Sequence, residues 1–212
     1  MDLSQITDSD IGHQVRIDLS LRKHLGSVEH RLVEQWQATA YFTADAQDLD
    51  DDADDNVIGY AHIVKCRLRE NQVPDLLDFI EADLHTVSSA VLDPESGYPT
   101  EEVAAETEGF GSDFLILNRV EIAKSWRGRG LGRWFAAEAL DTLSHGADFA
   151  ATYPAPIDES RGEARKAAEN KLRDVWGDIG FQPLSGDVMI LDLNLVTLDS
   201  TLQSMRKKFG AL

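Results

Sequence analysis

Residues 114–133 read FLILNRVEIAKSWRGRGLGR. From Phe114 to Ile122 the residues are large or β-branched, which predicts a strand. Arg127 to Gly132 predict a turn. Leu131, Trp134, Phe135, Ala139 and Leu143 then recur at helical spacing, and His145-Gly146 closes that helix. A strand that turns through glycines into a helix N-terminus suits an anion. Glycine lets the backbone approach a ligand. The first helical amides have no intrahelical acceptor, and the helix dipole adds partial positive charge there. Arg127, Arg129 and Arg133 surround the same place. A plain strand–helix turn with exposed arginines is an equally available reading of the glycines alone. The spacing of Gly128, Gly130 and Gly132 departs from the dinucleotide G-x-G-x-x-G, and G-x-x-x-x-G-K-[ST] is absent.

The charge around this stretch is uneven. The chain has 212 residues and a net charge of -18. Residues 1–113 carry 25 acids and 7 bases, whereas residues 114–212 carry 13 of each. Between 114 and 133 five bases face one acid. The total disfavours nucleic acid and anionic membranes as partners. The neutral second half can still receive an anionic ligand, and the acidic first half favours a cationic one.

Upstream, Val15, Ile17 and Leu19 alternate with Arg16 and Asp18, which predicts a strand. Residues 32–42 and 57–68 predict two more, joined by the acidic stretch 44–56. Pro74 opens a helix carried by Leu76, Ile80, Leu84, Val87 and Val91, and Asp93-Pro94 stops it. Residues 94–113 predict a loop or lid. Downstream, 148–153 predict a strand broken by Pro154 and Pro156. A helix runs from about Glu159 to Asp178, with Gly180 as its stop. FQPL and 188–195 predict the last strands, and LQSMRKKF a short basic helix or a frayed tail. With 42% hydrophobic residues the chain can bury a core. The sum is a single α/β (α+β) domain over 1–212. Its parts are an acidic 1–113, a ligand-binding 114–195 and a tail 196–212.

The second half resembles the GNAT acyltransferase superfamily. That family's coenzyme A motif, [Arg/Gln]-x-x-Gly-x-[Gly/Ala] between a strand and a helix, is matched by Arg127, Gly130 and Gly132. Asn170 and the run Trp176-Gly-Asp-Ile-Gly180-Phe181 stand where the family has a helix Asn and an aromatic-x-x-x-Gly-Phe ending. The resemblance covers about 114–195. It implies a GNAT-like mixed central sheet flanked by helices, with a modified N-terminal half. That modification is concrete: only about a dozen residues, 20–31, part the first two strands, where the family has two helices. It also implies acetyl-CoA as co-substrate. The amides of Gly128, Arg129, Gly130, Leu131, Gly132 and Arg133 would bind its pyrophosphate. The strand at Val120 and Ile122 would splay from the next one and pair with the pantetheine arm, a splay that Pro154 and Pro156 suit.

By the same resemblance an amine of a small molecule or peptide attacks the acyl carbon directly, while a base takes its proton and an acid protonates the thiolate. The acidic half favours a cationic acceptor. Glu121, in an otherwise apolar strand, is the first candidate base; the other reading is a salt bridge to Arg119 or Arg133, or a solvated face. Asp113 and Glu163 are weaker candidates. The family often has Tyr where this chain has Trp176, whose indole cannot transfer a proton. Tyr153 is the nearest substitute, and core packing is the plainer role for Trp176. The competing function is a non-catalytic acyl-CoA-binding or protein-interaction module on the same fold.

Other features carry less. Asp48, Asp50 and Asp52 resemble a calcium loop, but Ala53 and Gly59 occupy the positions an EF-hand needs for Gly and Glu. The histidines lack paired ligand spacing, so no metal is expected. Cys66, the single cysteine, predicts a buried inert thiol and fits a cytoplasmic protein. The N-terminus has no apolar h-region, and no run is long enough to span a membrane.

Overall fold

The computed structural model describes residues 7, 11–22, 31–43, 56–156 and 161–211. Among these residues seven strands form one mixed sheet: β1 (Val15–Arg22), β2 (Val33–Phe42), β3 (Val57–Arg67), β4 (Asp113–Ile122), β5 (Ala147–Thr152), β6 (Gln182–Pro183) and β7 (Met189–Asp192). Their order is β1-β2-β3-β4-β5-β7-β6. Only β4 and β5 are parallel neighbours. The connection between them is the helix α4 (Leu131–Leu143), as a parallel crossover requires.

Alternation along the strands gives the sheet two apolar faces. On one, Val64, Cys66, Phe114, Ile116 and Phe149 pack against α1 (Val73–Ile80) and α2 (Ala82–Val91). On the other, Ala61, Ile63, Leu115, Leu117 and Ala150 pack against α4 and the buried end of α5 (Gly162–Gly177). Helix α6 (Thr197–Lys208) closes this second layer through Leu198 and Leu202.

Several expected boundaries shift. The single helix over 75–92 is two helices, because Glu81 takes an extended backbone between them and sends its carboxylate to Asn118 and Arg119 on β4. The loop over 94–113 contains a short helix, α3 (Glu101–Glu106), whose first turn is capped by the Thr100 hydroxyl. The last strand ends at Asp192 rather than 195, because the Asp192 carboxylate accepts the Asn194 N–H and turns the chain. The tail is no frayed end. Arg206 makes two hydrogen bonds to Glu138 at 2.8 and 2.6 Å, and Phe209 stacks on Trp134 with centroids 4.8 Å apart. The acidic stretch 44–55, with Asp48, Asp50 and Asp52, lies outside the described residues, as do 23–30 of the segment between β1 and β2.

No helix among the described residues is long and apolar enough to cross a membrane.

Candidate functional site

The sheet opens at one place. Strand β4 pairs with β5 only from Asp113 to Ile116, opposite Ala147 to Ala151. The Thr152 hydroxyl donates to the Leu117 carbonyl at 2.8 Å and marks the end of contact. Beyond it β4 runs on to Ile122 paired, among the described residues, with β3 alone. The bulge in the β3–β4 ladder falls here too: His62 faces Arg119 and Ile63 faces Leu117, so Asn118 is the extra residue. The Ala123 N–H donates to the Ile58 carbonyl, toward β3. Peptide groups alternate along a strand, so those of Val120 and Ile122 face the open edge. The Ile122 carbonyl accepts a 2.7 Å bond from Arg127 Nε, which ties the edge to the glycine turn.

The turn has the conformation an anion cradle needs. Gly128 and Gly130 have φ of 83° and 85°, a region other residues enter only with strain. Gly130 precedes α4 with no side-chain cap, so the first amides of a 13-residue helix face outward. A Cβ at Gly132 would lie 3.3 Å from Ile122 Cγ1, so its small size lets the helix start against the strand. Arg129 lies over the Trp126 ring at 5.8 Å, and Arg133 pairs with Asp178. Leu131 is buried and anchors the first turn. Asn170 is exposed on α5, whereas Trp176 is 6% exposed in the core beneath the helices.

Two of the catalytic candidates, Glu121 and Tyr153, lie on the α1–α2 side of the sheet. Arg119 bonds to Glu81, between α1 and α2, at 3.1 Å, and Glu121 shares the face of Arg119 two residues on. Glu121 is exposed, opposite Tyr60 on β3, and both arginines expected as its partners are engaged elsewhere, Arg119 by Glu81 and Arg133 by Asp178. Tyr153, just past β5, packs half-buried against the same apolar layer, near Arg165. Asp113 is drawn away: it sits at the far end of β4 with Arg67 at 3.0 Å and Lys65 at 3.8 Å. Glu163 is exposed in the first turn of α5.

A polar network at the bulge escaped sequence reading. Asn118 Nδ2 lies 3.0 Å from His62 Nδ1 and donates to Glu81 Oε2 at 2.8 Å. The Glu81 carboxylate fixes the amide orientation. Nδ1 of His62 is then the acceptor, and the ring proton sits on Nε2. Burial lowers the His62 pKa from its usual value; Glu81 opposes this and Arg119 adds to it. The imidazole is therefore neutral near pH 7, and its Nε2–H is a donor. The available signal was faint: a His on an otherwise apolar strand, opposite a polar pair on the next.

Burial and, secondarily, Asp113 push the Cys66 thiol well above its usual range, so it is a poor nucleophile. Among the described residues no three His, Cys, Asp or Glu side chains form a group that could hold a metal ion.

Comparison with known proteins identifies no relative: no protein-family model, curated protein or solved structure matches the chain.

Proposed function

We propose that this chain is an acetyl-CoA-dependent N-acetyltransferase of the GNAT type. The observation that carries the reading is the coincidence of two features on β4: its open edge begins at the bulge, and it leads directly into the glycine–arginine turn. The turn suits a pyrophosphate, since the space beside Gly128 is open and the Arg133 guanidinium lies close to Gly130 at the start of the helix. Val120 and Ile122 would bond a pantetheine arm as an added strand. The bound coenzyme supplies an acyl group activated as a thioester.

The residues of the α1–α2 face then have distinct tasks. Glu121 takes the proton of the attacking amine as its nitrogen bonds to the acyl carbon. Tyr153 gives a proton to the departing sulfur. The neutral His62 Nε2–H orients a substrate oxygen. A primary amine on a small molecule or peptide is the acceptor, and the acidic first half favours a cationic one. The use of acetyl-CoA and a single buried thiol suit the cytoplasm. A non-catalytic acyl-CoA-binding module is the second reading, favoured by Trp176 in the place of the family's acid.

Thermal unfolding with acetyl-CoA, CoA and ATP tests the first step. Acetyl-CoA at 100 times its Kd should stabilise by about 2.7 kcal/mol. No shift with either coenzyme would remove both readings. Thiol release with a panel of amines then separates the enzyme from the binding module.

A further inference from the structure

The C-terminal helix does more than close the core. A cleft of about 400 Å³ lies between the start of α4, the end of α5 and α6, lined by Arg133, Asp178, Ser200, Thr201, Ser204 and Lys208. Ser200, Ser204 and Lys208 are spaced i, i+4, i+8, so they form one stripe along α6. The cleft opens beside the glycine turn. Lys208 Nζ donates to the Arg129 carbonyl at 3.0 Å. A Cβ at Gly130 would meet an Arg133 guanidinium nitrogen at 3.2 Å and Lys208 Nζ at 3.4 Å. Two cations from different helices thus converge on the turn. Asp178 holds Arg133 at the cleft wall, and Lys207 adds a further charge in the last turn of α6. Helix α6 is fixed from its other side by Arg206 on Glu138 and Asp141, so Lys208 is held at the turn by the fold.

We propose that this cleft, with Lys208 and the Ser200–Ser204 stripe, binds the 3′-phosphate of the coenzyme's adenosine end and makes the protein select 3′-phosphorylated coenzyme over its dephospho form. The proposal rests on the coenzyme reading above. In that reading the turn amides are taken by the pyrophosphate. A second phosphate on the neighbouring ribose needs its own donors, and the cleft provides the Lys208 ammonium next to the first site and the Ser204 hydroxyl one helical turn away, with Ser200 a turn further along the wall.

Calorimetric titration of the full chain with CoA and with 3′-dephospho-CoA tests this, with ATP as the control for a general polyphosphate site. The parent should bind CoA about tenfold more tightly than dephospho-CoA, as a charge-assisted contact supplies. Lys208→Gln should bring the two affinities together by weakening CoA alone. Ser204→Asp, which adds a carboxylate one helical turn from Lys208, should do the same. Both positions are exposed, and unchanged melting curves confirm that the variants fold. Equal affinities in the parent overturn the proposal. So does an equal loss for both ligands in Lys208→Gln, which would put the lysine on the shared pyrophosphate, or ATP binding as tight as CoA. If the parent binds neither coenzyme, the coenzyme reading itself fails, and that is seen before any variant is made.

Discussion

The two halves of β4 differ more than any two strands of the sheet. From Phe114 to Leu117 every side chain is buried, and the strand is paired with β3 and, as far as Ile116, with β5. From Asn118 to Ile122 the side chains are half-buried or exposed, and one edge is open. The first half is built for stability. The second gives up a ladder, takes in a bulge and collects Asn118, Arg119 and Glu121 on one face. An unpaired strand edge is a liability that proteins normally cover. Here it ends in a turn that gathers cations at the start of a helix, the place where the proposed coenzyme would cover it.

Substitutions in the two halves should separate stability from function. The largest effect is expected at Phe114, fully buried and stacked on Phe149 with centroids 5.2 Å apart. Phe114→Ala should cost about 3–5 kcal/mol in denaturant unfolding. Gly130→Val, at a φ of 85°, should cost about 1–2 kcal/mol and abolish stabilisation by acetyl-CoA. If that stabilisation survives, the turn is not the binding place. Glu121→Gln should leave stability within about 0.5 kcal/mol but lower turnover roughly 100-fold or more. Unchanged turnover across pH would remove Glu121 as the base.

The smallest effect concerns His62. Its folded pKa lies below the unfolded value, so the unfolded state binds the proton more readily. Stability is then whole above pH 6.5 and declines as pH falls below it toward the folded pKa. His62→Gln should flatten that part of the profile relative to the parent. Identical slopes from pH 5 to 8 would show that the Asn118–His62–Glu81 network does not hold the imidazole neutral.

Much of the fold was legible because it depends on local periodicity. The 114–143 strand–turn–helix, the hairpin strands and the stop at Gly146 follow from side-chain spacing and glycine conformation. The division at Glu81 was not legible, since a long-range bond to Asn118 breaks a helix whose apolar spacing runs on unbroken. Helix α3 was hidden for another reason: at six residues it is too short to show a period, and only its Thr100 cap and two glutamates signal it.

By itself the sequence determined the α/β class, the uneven charge and the glycine–arginine turn, for these rest on composition and on contacts between near neighbours. Tertiary structure alone decided where β4 parts from β5 and which carboxylates stay free. It also brought His62, Asn118 and Glu81 together and carried Lys208 to the turn at Gly130. Those facts depend on strand register and helix docking. Both are fixed by burial summed over the whole core, which no local window of sequence contains.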